Sequence, residues 1–130
     1  MGNPAAKEGD KISGMDTHIV MVSSPGGPVP TPTPMPFVGT ISGELSGTIS
    51  IDDKPAATKG STADNSPTHV AAGGPFQKEP ANKATVQDGS STVFFEDKPA
   101  ARMGDPAMTC NDPADAPNGT VIASSTVFIG

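Results

Sequence analysis

The feature that most constrains this chain is an internal repeat. Ser46-Gly47-Thr48-Ile49-Ser50-Ile51-Asp52-Asp53-Lys54-Pro55-Ala56-Ala57 aligns with Ser90-Ser91-Thr92-Val93-Phe94-Phe95-Glu96-Asp97-Lys98-Pro99-Ala100-Ala101 at an offset of 44 residues. Asp-Lys-Pro-Ala-Ala is shared outright, and Ser124-Ser125-Thr126-Val127-Phe128-Ile129 opens a third copy, cut off at Gly130. Each copy is a short β-branched apolar run after small residues, which reads as a strand of about five residues. In the complete copies an acidic pair and Lys-Pro follow, which is turn chemistry. Gly39-Thr40-Ile41, Ala84-Thr85-Val86 and Gly119-Thr120-Val121-Ile122 read as a second strand ahead of each copy, and a Pro-containing loop precedes each. The chain therefore reads as three sectors of loop, strand, turn and strand. One such sector buries no face, whereas three wrapped about an axis do.

Composition narrows the class. One Leu, with 15 Pro and 15 Gly among 130 residues, excludes a helical bundle and a large apolar core. Nine Val and seven Ile favour pleated strands. The Gly and Pro content also suits a disordered, Pro-rich adaptor that folds on its partner. The low net charge of −6 and the matched β-branched runs argue against that alternative. The acidic balance speaks against a nucleic-acid surface and against a polybasic membrane anchor. No apolar run approaches the ~20 residues of a membrane-spanning helix. The polar N-terminus lacks the apolar segment of a secretory signal, so the expected site of synthesis is the cytoplasm. Cys110 is the single cysteine and closes no internal disulfide. A chain with so small a core then needs a metal or a partner subunit as its staple.

Three side chains are candidates for that metal. His18, His69 and Cys110 each precede the Pro loop of one sector, at 22, 16 and 10 residues before Thr40, Thr85 and Thr120. Singly, each histidine reads as a surface residue and the cysteine as a small buried hydrophobe. Their equivalent placement makes them candidates together, because threefold wrapping brings them to one point on the axis. Imidazole with thiolate suits zinc, or iron. The same set with an open fourth position occurs in small zinc hydrolases. None of Glu8, Glu44, Glu79 and Glu96 lies at a spacing coupled to a ligand, and no nucleophile or phosphate-loop motif occurs. The expectation is a non-enzyme.

Pro99-Ala100-Ala101-Arg102, within Asp97-Lys98-Pro99-Ala100-Ala101-Arg102-Met103-Gly104-Asp105, resembles the signature of PAAR-repeat proteins. Pro55-Ala56-Ala57-Thr58 is a variant of it. With the downstream Cys110 and the repeated Ser-Ser-Thr-Val-Phe run, the resemblance covers roughly residues 12–130, a single domain. Residues 1–11 match no sector, and are expected to be a flexible segment or to run along the side. The resemblance implies an all-β, metal-stapled cone of short strands with three pseudo-repeated sectors. Its base would sit on the blunt end of a trimeric, VgrG-like spike, one cone per trimer. Its apex would sharpen the tip of a type VI secretion system, an extracellular contractile particle or a phage-like tail. Effector cargo and transient contact with a target membrane are implied with it, as is delivery to the target cell or the exterior. The ligand role carries onto His18, His69 and Cys110. The family commonly shows three His and one Cys, so the fourth position here falls to Asp16, Asp64, Asp112 or a water.

Other features read more plainly. Arg102 is expected to pair with an acidic group or a carbonyl. Val29 to Phe37, with proline at alternate positions, resembles a polyproline ligand but is expected to be a stiff loop climbing the cone. Phe94, Phe95 and Phe128 are expected in the core or at the base.

Overall fold

β-Branched runs and alternating burial produce an all-strand chain. A computed structural model describes residues 2–130, and among them there is no helix. The strands are β1 (Asn3–Pro4), β2 (Lys11–Val22), β3 (Val29–Gly43), β4 (Ser50–Ile51), β5 (Lys54–Pro55) and β6 (Thr62–Asn65). They continue as β7 (Lys83–Val86), β8 (Phe94–Phe95), β9 (Lys98–Pro99), β10 (Pro106–Thr109), β11 (Ala116–Ile122) and β12 (Phe128–Ile129). β10, β11, β2, β3, β6 and β7 close into a barrel in that order. The other six pair two by two: β4 with β5, β8 with β9, and β12 with β1. The all-β expectation holds.

The acidic pairs make the turns. Asp52 and Asp53 have φ of 50° and 69°, and Glu96 and Asp97 have 54° and 67°. Two successive positive φ values are what a two-residue hairpin turn needs to match strand twist, and Asp tolerates them better than most residues. The flanking strands are shorter than the five residues expected, since only two residues of each pair. The cause lies upstream. Ser46 Oγ accepts the amides of Thr48 and Ile49, and Ser90 Oγ those of Thr92 and Val93. The serine bends the chain that would otherwise extend the strand.

The third hairpin is assembled from two distant stretches. Phe128 lies opposite Pro4 and Ile129 opposite Asn3. The first two hairpins pair Ser50 with Pro55 and Ile51 with Lys54, then Phe94 with Pro99 and Phe95 with Lys98. Pro4-Ala5-Ala6 is therefore a third Pro-Ala-Ala segment. Residues 3–11 are thus strand, bridge and turn of the same domain, where a flexible segment or a run along the side was expected. Ala5 and Ala6 are fully buried, and Ala5 and Lys7 bridge to Arg102 and Ala56.

These segments close a ring. The amide of Ala6 donates to the carbonyl of Ala101 (2.9 Å), Ala57 to Ala6 (3.0 Å) and Ala101 to Ala57 (3.1 Å). Small side chains are required where three backbones meet so closely, and all three alanines have no exposed surface. The chain leaves each alanine pair by the same turn. Side-chain oxygens of Asp10, Ser61 and Asp105 accept the amides of Lys7, Thr58 and Arg102 at 2.9, 2.9 and 2.8 Å. Gly9, Gly60 and Gly104, at φ 94°, 96° and 91°, supply the left-handed residue. The turns also clasp one another. Asp52 accepts from Thr126, Glu96 accepts from Ser46, and the carbonyl of Gly130 accepts from Ser90.

From this ring β2 and β3 run outward as one antiparallel pair, Lys11 opposite Thr40 through to Val22 opposite Val29. The 29–37 segment is thus strand and not the stiff loop expected. Inward positions of β2 alternate, placing Ile12, Asp16, His18 and Val20 on one buried face. His18 lies seven residues beyond Lys11, roughly 23 Å along the strand.

Candidate metal centre

Three segments converge beside the middle of β2. The strand itself brings Asp16 and His18, two residues apart and so on the same face. His69 follows β6, and its amide donates to Asn82 Oδ1 at 2.9 Å. Asn65 is fastened to the same oxygen at 3.1 Å and lies 3.4 Å from His69 Nδ1. Cys110 follows β10 directly. Its neighbours lock it against β2, with Asn111 Oδ1 accepting from the Thr17 amide (2.8 Å) and the Asp112 amide donating to the Thr17 carbonyl (2.9 Å).

One ligand atom from each of Asp16, His18, His69 and Cys110 lies within 4.8 Å of the other three. His69 Nε2 is 2.8 Å from Asp16 Oδ2, Cys110 Sγ is 3.4 Å from that oxygen, and Cys110 Sγ is 3.6 Å from His18 Nε2. His18 Nε2 to Asp16 Oδ2 is 4.0 Å. A tetrahedral ion with bonds of about 2.0–2.3 Å separates its ligands by about 3.3–3.8 Å. The four quoted spacings, from 2.8 to 4.0 Å, bracket that range, so small side-chain shifts would let the four donors surround one ion.

The electrostatics also fit a cation. Asp16 has no exposed surface, and its Oδ1 has no hydrogen-bond partner. A buried carboxylate with an orphaned oxygen is costly unless a positive charge meets it. The Cys110 thiol is pushed up to about 11, first by burial and then by the negative charge of Asp16, while the amides of Lys83 and Asn82 pull it down. A bound divalent ion reverses that balance and deprotonates a coordinating thiol outright. His18 Nδ1 likewise lacks a hydrogen bond and faces Asp112 Oδ2 at 3.5 Å. That carboxylate is held by the Ile19 amide at 3.0 Å. A carboxylate behind a histidine is the usual device for orienting a metal-binding imidazole.

The structure thus brings together the three residues singled out by sector position, and adds Asp16. Of the other aspartates considered for the fourth place, Asp64 is corrected outright. It points to solvent beside Lys83, 4.0 Å away, because strand alternation turns it out of the barrel. Asp112 stands behind His18 instead of beside the thiol. The signal for Asp16 was its spacing of two from His18, which is decisive only once that stretch is known to be a strand.

The PAAR motif family model matches residues 21–107 and again 76–130. The chain belongs to the PAAR family. A comparison with curated proteins finds no match. In this PAAR protein the signature Pro99-Ala100-Ala101-Arg102 lies at the alanine ring and not at the metal centre. Arg102 donates to Asp105 (3.0 Å) and to the Gly130 carbonyl (2.8 Å), a structural pairing of the kind expected. Four protein donors would complete a tetrahedron around a bound ion, the pattern of structural zinc, whereas catalytic sites keep one position open.

Proposed function

We propose that this PAAR protein is the spike tip of a contractile injection machine, seated on a trimeric spike and acting mechanically. The observation that carries the reading is the cyclic bonding of Ala6, Ala57 and Ala101. It gives a single chain the threefold symmetry that a homotrimeric spike presents at its end. Three hairpins surround that ring, with Phe94 and Phe128 left 53% and 63% exposed. Exposed aromatic side chains on two of the three hairpins suit burial against a partner. Away from the ring a zinc ion, or iron, held by Asp16, His18, His69 and Cys110 would tie β2 to the segments after β6 and β10. Structural zinc contributes about 10–16 kcal/mol of apparent binding energy in small domains, enough to rigidify a tip with little core. A closed, fully protein-ligated centre serves stiffness and not turnover, which supports a non-enzymatic role. The protein would act at the head of the apparatus and cross a target membrane with it.

Native mass spectrometry of the chain mixed with a trimeric spike protein of such a machine tests this. One chain per trimer is expected. Three chains per trimer would contradict the symmetry match, and no complex with the spike encoded alongside it would remove the reading.

A further inference from the structure

We propose that the prolines at 30, 32, 34 and 36 are a barrier against strand addition, built to stop a second copy of this chain from pairing with the projecting β2–β3 hairpin. The register carries the inference. Pro30, Pro32, Pro34 and Pro36 lie opposite Met21, Ile19, Thr17 and Met15. The backbone of three of those partners points away from β3. The Met21 amide donates to the Pro75 carbonyl (2.8 Å), the Ile19 carbonyl accepts from Gln77 (2.8 Å), and the Thr17 carbonyl accepts from Asp112 (2.9 Å). In an antiparallel pair, residues directly opposite share the direction of their backbone groups. The proline nitrogens therefore face the other edge of β3, away from β2.

That edge is long and open. β6 pairs with β3 only over Gly39 to Gly43. The Val38 amide donates to Asn65 Oδ1 and its carbonyl accepts from the Ser66 amide. From Pro36 back to Val29 no strand pairs with the outer edge among the described residues. An exposed edge of that length is ordinarily a template for another chain. Here every outward-facing residue from 30 to 36 lacks an N–H, so the edge offers acceptors and no donors. A second hairpin could satisfy half a ladder at most. The intervening Thr31, Thr33 and Met35 keep their amides for β2, so the barrier costs the hairpin nothing. The opposite edge of the hairpin is protected differently, by the 73–77 segment paired along Ile19 to Ser23.

The test restores the donors. Pro30→Thr/Pro32→Thr/Pro34→Thr matches the neighbouring threonines and returns three outward amides, one every second residue. Sedimentation velocity over a concentration series should show self-association at least about tenfold tighter than the parent chain's. Hydrogen exchange should show the three new amides protected as association proceeds. The matching triple lysine variant returns the same amides but adds edge charge, and should stay monomeric. A threonine variant that melts cooperatively and remains monomeric overturns the proposal, as does equal association of the lysine variant. If the triple threonine variant loses cooperative melting, Pro32→Thr/Pro34→Thr carries the same test, with a smaller rise in association expected and no rise contradicting it.

Discussion

The alanine ring and the metal centre are specified in opposite ways. At the ring three short segments repeat, and backbone groups do the bonding. Ala6, Ala57 and Ala101 exchange amide hydrogen bonds in a closed cycle, and the next turn recurs with Asp10, Ser61 or Asp105 as its cap. Such a site asks for small size, a left-handed glycine and an oxygen, and several residue types meet the last demand. At the metal centre nothing repeats. Each of the four donors has a different local support, and the sectors reach the point with arms of unequal length. A threefold backbone can stiffen a base without much chemistry. A point where strands converge has no room for a repeated ladder, and side chains of defined chemistry take over.

The largest effect should come from breaking the metal centre. Cys110→Ser should abolish stoichiometric metal retention and remove much of the about 10–16 kcal/mol that a structural zinc contributes, read as a steep fall in melting temperature. Unchanged metal content and melting would take Cys110 out of the centre. Enlarging the ring comes next. Ala57→Val should cost about 1–3 kcal/mol by overpacking, measured from denaturant midpoints. Ala6→Val and Ala101→Val should cost similar amounts if the ring is symmetric, and one neutral substitution among the three would break that symmetry. Asp112→Asn sharpens the comparison at the metal centre. It should weaken metal affinity about 10–100-fold in a competition titration while the metal-loaded fold persists.

The smallest effect concerns acid. Hydrogen bonds from Thr126 hold Asp52 below its ordinary value of 3.8, and those from Ser46 and Thr48 hold Glu96 below 4.5. A lowered folded-state value stabilises the fold above the ordinary carboxylate range, and that contribution is lost as pH falls through the lower folded values. The clasp between hairpins should therefore weaken below about pH 4. Melting temperatures of Asp52→Asn/Glu96→Gln should show a shallower acid dependence than the parent. An identical dependence would mean that these two carboxylates contribute nothing to it.

Much of the ring was legible because repeats carry their own evidence. Asp52-Asp53-Lys54-Pro55 and Glu96-Asp97-Lys98-Pro99 declared their turns by residue type. The third copy was obscured because its halves lie at opposite ends of the sequence. Yet Pro4-Ala5-Ala6 with Gly9-Asp10 has the spacing of Pro99-Ala100-Ala101 with Gly104-Asp105. Prolines argued for a loop over Val29 to Phe37, and only pairing partners reveal that proline tolerates an edge when its nitrogen faces away. The convergence of His18, His69 and Cys110 followed from sector position. Asp16 did not, since its choice over Asp64 and Asp112 depends on strand phase.

The most direct measurement is metal content per chain, by elemental mass spectrometry on untagged protein, set beside its melting curve. One zinc or iron per chain is expected, with cooperative melting that chelation lowers. A folded, cooperatively melting protein with no bound metal would contradict a metal-built tip, and the four convergent side chains would then be ordinary packing.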